Sequence, residues 1–111
     1  MTIARILEHR SAEVWSCNVG DSVAAALAQL ASKRIGALPV FDSSGVIGIF
    51  SERDVIYQLP NFGPAMLDKL VGEVMTSPAI TVETTTDVMG ALALMTRRRI
   101  RHLPVVDGGK L

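Results

Sequence analysis

Apolar residues fall at Val23, Ala26, Leu27, Leu30 and Ala31, the i, i+3, i+4, i+7, i+8 spacing of one face of a helix. At an offset of 65, Val88, Ala91, Leu92, Met95 and Thr96 take the same positions. Gly20-Asp21-Ser22 and Thr85-Thr86-Asp87 stand just ahead and supply side chains that can cap the two helices. A short strand candidate precedes each helix, Val14-Trp15-Ser16-Cys17 and Ala79-Ile80-Thr81-Val82. Another follows each, at 38–41 and 103–106. Pro39 and Pro104 sit near the starts of those strands, which fits an edge or initial position, since proline donates no ladder hydrogen bond. Asp42-Ser43-Ser44-Gly45 reads as a hairpin turn. The pattern then predicts a return strand at 46–50 and a helix at 51–59, stopped by Pro60.

The chain therefore repeats itself. Arg34-Ile35-Gly36-Ala37-Leu38-Pro39-Val40-Phe41-Asp42 returns as Arg99-Ile100-Arg101-His102-Leu103-Pro104-Val105-Val106-Asp107. Self-similarity at a fixed offset implies units that cannot bury their apolar faces alone. Each unit reads strand, helix, strand, strand, helix. The first spans 1–60 and includes an N-terminal helix at 1–8. A linker and helical approach occupy 61–70, and the second unit spans 71–111. Ile3, Ile6 and Leu7 approach the first unit as Val71, Val74 and Met75 approach the second. The second copy reaches its hairpin, Gly108-Gly109, and stops at Leu111. Its return strand and polar helix are expected beyond that residue, so Leu111 is read as the end of the visible chain only.

Composition narrows the class. The chain is 49% hydrophobic with a mean hydropathy of +0.35, enough for a core and contrary to disorder. Lys+Arg and Asp+Glu each total 11, so no global charge draws it to nucleic acid or an anionic membrane. No apolar run approaches the ~20 residues that span a bilayer. Met1-Thr2-Ile3-Ala4-Arg5 lacks the plan of a signal peptide, and a cytoplasmic location is the expectation. Cys17, the single cysteine, cannot form an intrachain disulfide and reads as a small buried strand residue. His9 and His102 form no metal-ligand pattern with it. No P-loop, dinucleotide fingerprint or nucleophile elbow occurs, and Ser51 has no activating partner in sequence. Catalysis by this chain is not expected.

Three groups of residues could bind a ligand. The first is Gly48-Ile49-Phe50-Ser51-Glu52-Arg53-Asp54, at a strand-to-helix junction. Gly48 permits close backbone approach. Ser51 and Asp54 share one face of the first helical turn. Two readings are open: a hydroxyl and a carboxylate suited to the two hydroxyls of a ribose, or a capping box. The second is Arg97-Arg98-Arg99-Ile100-Arg101-His102. Arg97 and Arg98 suit a helix C-terminus. Arg101 and His102 sit at a loop-to-strand corner, where a guanidinium can bind phosphate bidentately. Gly36 and Ala37 hold that corner in the first copy, so the two corners are unequal. The third is Trp15, either ordinary packing or one wall of an adenine-sized pocket.

Together with Val74-Met75-Thr76, and in this order twice over, these residues resemble a tandem pair of CBS domains, named for cystathionine β-synthase. The resemblance implies an α/β (α+β) fold of two β-α-β-β-α units packed with pseudo-twofold symmetry around two clefts, the second unit truncated in the visible chain. It implies a regulatory module that needs no cofactor and binds an adenosyl ligand: AMP, ADP, ATP, NAD(H) or S-adenosylmethionine. It adds ribose binding to the capping role of Ser51 and Asp54. It places Trp15, Ser16, Cys17, Gly36, Ala37 and Pro39 at a base pocket, with Ile80 and Thr81 in the second copy. It assigns phosphate contacts to Arg53, Arg99, Arg101 and His102. The second ribose motif would fall past Leu111. The resemblance also implies a flat homodimer and a protein partner that reads the ligand state; neither membrane nor nucleic acid is expected. Two other readings stay open: a dimerisation module with degenerate sites, to which the neutral Gly36-Ala37 corner points, and a regulatory fragment of a larger enzyme or transporter.

Overall fold

Ser22 opens the first long helix as its pattern requires, its Oγ accepting from Ala25 N at 3.0 Å. Asp87 opens the equivalent helix, Oδ2 accepting from Met89 N at 3.1 Å. In the computed structural model, residues 1–8, 14–107 and 111 are described; His9 and the Gly108-Gly109 turn lie outside them. The fold is mixed α/β. The elements in chain order are α1 (Ile3–Leu7), β1 (Cys17–Asn18), α2 (Val23–Lys33), β2 (Ala37–Asp42), β3 (Gly45–Ser51) and α3 (Glu52–Phe62). A 3-10 segment (Gly63–Asp68), α4 (Val71–Val74), β4 (Val82–Glu83), α5 (Val88–Arg98) and β5 (Val105–Val106) follow.

The chain divides into two compact units, Trp15–Ala79 and Met1–Val14 with Ile80–Leu111. The first holds a sheet of order β1-β2-β3. β1 runs parallel to β2, starting at Cys17 opposite Val40, and β2 runs antiparallel to β3. No residue of β1 stands opposite Pro39, which explains how a proline sits in the middle strand. A register shift after Val40 marks a bulge in β3. Leu38, Val40 and Phe50 point from this sheet into a core with Val23, Ala26 and Leu30 of α2, Met66, and Val71 and Val74 of α4. The second unit holds the parallel pair β4-β5. Ile3, Ala91 and Val106 are buried there, whereas Leu92, the counterpart of Leu27, is 51% exposed.

The approach segments dock the other way round from the expectation. In the Trp15–Ala79 unit, Val71 N donates to Asp21 O (2.8 Å), Gly72 N to Val19 O (3.1 Å) and Val23 N to Lys69 O (2.8 Å). In the other unit, Ile3 N donates to Thr86 O (3.0 Å), Ala4 N to Thr84 O (2.8 Å) and Val88 N to Met1 O (2.9 Å). The residues correspond one for one across the repeat. Helix α1, expected with the first copy, is therefore bonded to the second, and α4 to the first. Docking satisfies N–H groups at the start of each short helix, which have no partner inside it.

Three local expectations also shift. β1 and β4 begin later than 14–17 and 79–82, because pairing with β2 and β5 decides their extent. Pro60 does not stop α3. It sits near the end of the helix, and Gly63 N reaches back to Leu59 O, so the helix runs on to Phe62. The helical approach expected ahead of the second copy is not one helix but a 3-10 segment and α4, parted at Lys69-Leu70.

Candidate functional site

The junction of β3 and α3 carries the Ser51/Asp54 pair. Ser51 is extended (φ −135°, ψ 163°), and its Oγ accepts from Asp54 N at 3.3 Å. Asp54 Oδ2 accepts from Ser51 N at 2.8 Å and from Ser51 Oγ at 3.2 Å. The capping box is thus formed. The carboxylate also has a partner far along the chain: Thr76 Oγ1 donates to Asp54 Oδ1 at 2.6 Å. Asp54 is half-buried and Thr76 exposed.

Thr76 is brought there by the backbone. Ile49 N donates to Thr76 O (2.9 Å), Thr76 N to Ile49 O (2.8 Å) and Ala79 N to Ile47 O (3.1 Å). The segment thus extends the sheet beside β3. Gly48 makes this approach possible: a Cβ there would lie 2.8 Å from Met75 Sδ and 2.8 Å from Thr76 O. The close approach that the sequence suggested at Gly48 is taken by the chain itself.

Other expected residues of this unit lie around the same sheet. Trp15 is 36% exposed, and Lys33 Nζ stands 3.9 Å from its ring centroid, over one face. Ser16 O accepts from Gln29 Nε2 at 3.2 Å. Cys17 is the core residue of its simpler reading, 4% exposed, with Sγ 3.8 Å from Pro39 O. Burial, with the Asp21 charge, pushes its thiol up to about 11. Arg53 is half-buried and engages no ion pair or hydrogen bond among the described residues.

Gly36 O accepts from Glu52 N at 3.2 Å and lines a groove of about 480 Å³ with Leu27, Leu30, Ala31, Arg34, Ile35 and Glu52. The sequence pattern alone does not single out Arg34. It ends α2 in the left-handed conformation (φ 54°), with Arg34 N donating to Ala31 O and Ile35 N to Leu30 O, a Schellman motif. Arg99 repeats this at φ 55°, with Arg99 N to Thr96 O and Ile100 N to Met95 O. The repeat was the signal that could have found Arg34, since it is the counterpart of Arg99. Thr76 was visible only as the last residue of Val74-Met75-Thr76.

Ile80, Thr81, Arg99, Arg101 and His102 belong to the other unit. Arg99, Arg101 and His102 are all exposed there, as is Thr81. Among the described residues no cluster of His, Cys, Asp or Glu could hold a metal ion.

A family model described as CBS domain matches residues 4–61 and 71–111. The chain belongs to the CBS-domain family, as a tandem pair. Over 98 residues this CBS pair is 35% identical to the mitochondrial CBS domain-containing protein CBSX3 of Arabidopsis thaliana, covering 84% of this chain and 47% of that protein. It is 37% identical over 95 residues to an inosine-5'-monophosphate dehydrogenase of Mycobacterium tuberculosis, 84% of this chain and 17% of that enzyme. The CBS pair thus spans about half or less of the length of these relatives. It superposes on the crystal structure of CBSX2 in complex with AMP with a TM-score of 0.80 at 26% identity, covering 99% of this chain and 86% of that one. No helix among the described residues is long and apolar enough to cross a membrane.

Proposed function

We propose that this CBS pair is a non-catalytic, cytoplasmic regulatory module that binds an adenosine-containing ligand through its ribose at Ser51 and Asp54. The observation that carries the reading is the Asp54 carboxylate. It is half-buried at a helix start, and its orientation is fixed by Ser51. A related CBS structure holds AMP, which supports the choice of ligand class. AMP heads the set, with ADP, ATP, NAD(H) and S-adenosylmethionine behind it. The backbone around Trp15, Ser16, Cys17, Gly36, Ala37 and Pro39 is proposed to receive the base, Cys17 through its main chain because its thiol faces the core. Ile80 and Thr81 take that role in the second copy. Arg53, Arg99, Arg101 and His102 are proposed as phosphate contacts. Repeat boundaries at 1–60 and 71–111 remain the working division of the sequence.

Isothermal titration with these five ligand types tests the reading. AMP or another of them is expected to bind, and Asp54→Ala to weaken it about tenfold or more, as for a hydrogen bond to a charged group. Binding unchanged in a folded Asp54→Ala protein would return Asp54 to capping alone. No heat with any ligand would overturn the sensor reading.

A second reading rests on exposed apolar side chains of α3. Ile56 is 65% and Tyr57 69% exposed. A homodimer with a further protein partner would cover them, whether in a free-standing protein or in the regulatory part of a larger enzyme or transporter. Sedimentation at rising concentration distinguishes dimer from monomer.

A further inference from the structure

We propose that Thr76 reads one hydroxyl of a vicinal diol, making Asp54 and Thr76 together a ribose-specific pair. The proposal rests on the ribose reading of Asp54 and adds a residue and a specificity to it. An ionised carboxylate offers about four acceptor positions. Asp54 Oδ2 uses two, for Ser51 N and Ser51 Oγ. Oδ1 uses one, for Thr76 Oγ1. One position remains, on Oδ1. Ser51 cannot supply the second contact readily, because its Oγ donates to Asp54 and already accepts from Asp54 N.

Thr76 can. Its only side-chain proton is committed to Asp54, so the Oγ1 lone pairs of this exposed residue are left to act as acceptors. Oδ1 and Oγ1 stand 2.6 Å apart. Hydroxyl oxygens on neighbouring carbons have a comparable separation. One hydroxyl of a cis-diol can therefore donate to Oδ1 while its neighbour donates to Thr76 Oγ1. None of the three existing bonds of the Asp54 carboxylate has to break. The position of Thr76 is fixed from behind by its two-way exchange with Ile49. A ligand lacking one hydroxyl leaves an acceptor unpaired, and a phosphate on either hydroxyl would bring negative charge against Asp54.

The test is calorimetric binding of AMP, 2'-deoxyAMP and 3'-deoxyAMP to the wild-type chain, Thr76→Val and Thr76→Ser. The wild type should prefer AMP over both analogues. Thr76→Val should weaken AMP about 3- to 10-fold, the worth of one neutral hydrogen bond, and abolish the preference against one analogue only. Thr76→Ser, which keeps the hydroxyl, should behave as wild type. A purely structural role for Thr76 would weaken all three ligands in proportion. That result overturns the proposal, as does a folded Thr76→Val with unchanged preferences. If Thr76→Val does not fold, Thr76→Ala serves in its place. A wild type that binds AMP without preferring it over either analogue overturns the diol pair and leaves nucleotide binding standing. A wild type that binds none of the nucleotides overturns both.

Discussion

Gly48→Ala is the sharpest perturbation of the site's scaffold. The backbone of Gly48 is not left-handed, so alanine meets no conformational penalty there and the steric effect stands alone. The added methyl would sit 2.8 Å from a flexible sulfur, Met75 Sδ, and 2.8 Å from a backbone oxygen, Thr76 O. The sulfur can swing away; the carbonyl can move only if the segment leaves β3. That forfeits the Ile49–Thr76 pair of hydrogen bonds, at 2.9 and 2.8 Å. At ~0.5–1.5 kcal/mol net for each bond, the loss is about 1–3 kcal/mol. The lower chain entropy of alanine in the unfolded state returns about 0.4–1 kcal/mol. The expected net destabilisation is about 1–2 kcal/mol, read as a lower urea midpoint with unchanged slope. Gly20→Ala is the control, since a Cβ there meets nothing within 4 Å. Adding Met75→Ala to Gly48→Ala should restore nothing, because the carbonyl remains. A Gly48→Ala protein as stable as wild type, or one rescued by Met75→Ala, refutes the backbone argument.

Arg34→Gly should raise the urea midpoint, by about 0.5–1 kcal/mol, because φ 54° strains any residue with a Cβ; a lower midpoint would mean that the arginine side chain outweighs the strain. Ser51→Ala removes the Oγ that caps α3 and should cost about 1 kcal/mol by the same assay; no loss would mean that Asp54 alone holds the junction. The Cys17 thiol, raised from 9.0 to about 11, favours the folded state while neutral. That contribution is whole below pH 9.0 and fades as the pH rises toward 11. The difference in urea midpoint between wild type and Cys17→Ala should therefore shrink across that window, and a constant difference would contradict it.

What the sequence revealed was what is local. Helices α2 and α5, the Ser22 and Asp87 caps and the Asp42–Gly45 turn depend on neighbours a few residues away, and they stand where the pattern put them. Strand limits depend on partners elsewhere: β1 starts at Cys17 because that residue faces Val40. The docking of α1 and α4 was not legible at all. Ile3 resembles Val71 because the repeats match, and matching sequences serve either copy equally well. At the site, Ser51 and Asp54 were readable from spacing. Thr76 was not, since a hydrogen bond spanning 22 residues leaves no period in the sequence. Arg34 escaped for another reason: the left-handed position after a helix usually belongs to glycine, so the arginine there shows only when it is set beside its repeat counterpart Arg99.

The exchanged approach segments also set an order of events on the ribosome. All of Trp15–Ala79, including the segment that α4 brings to it, is made before residue 80. That unit can close while synthesis continues. Helix α1 emerges earlier than any of it and yet must wait, because its acceptors are Thr84 and Thr86 and its donor partner is Val88. At ~5–20 residues per second the delay is about 4–16 s. For those seconds Ile3, buried in the finished protein, has no native surface to cover it. Helix α1, made ahead of the whole Trp15–Ala79 unit, finds its place only after that unit can close.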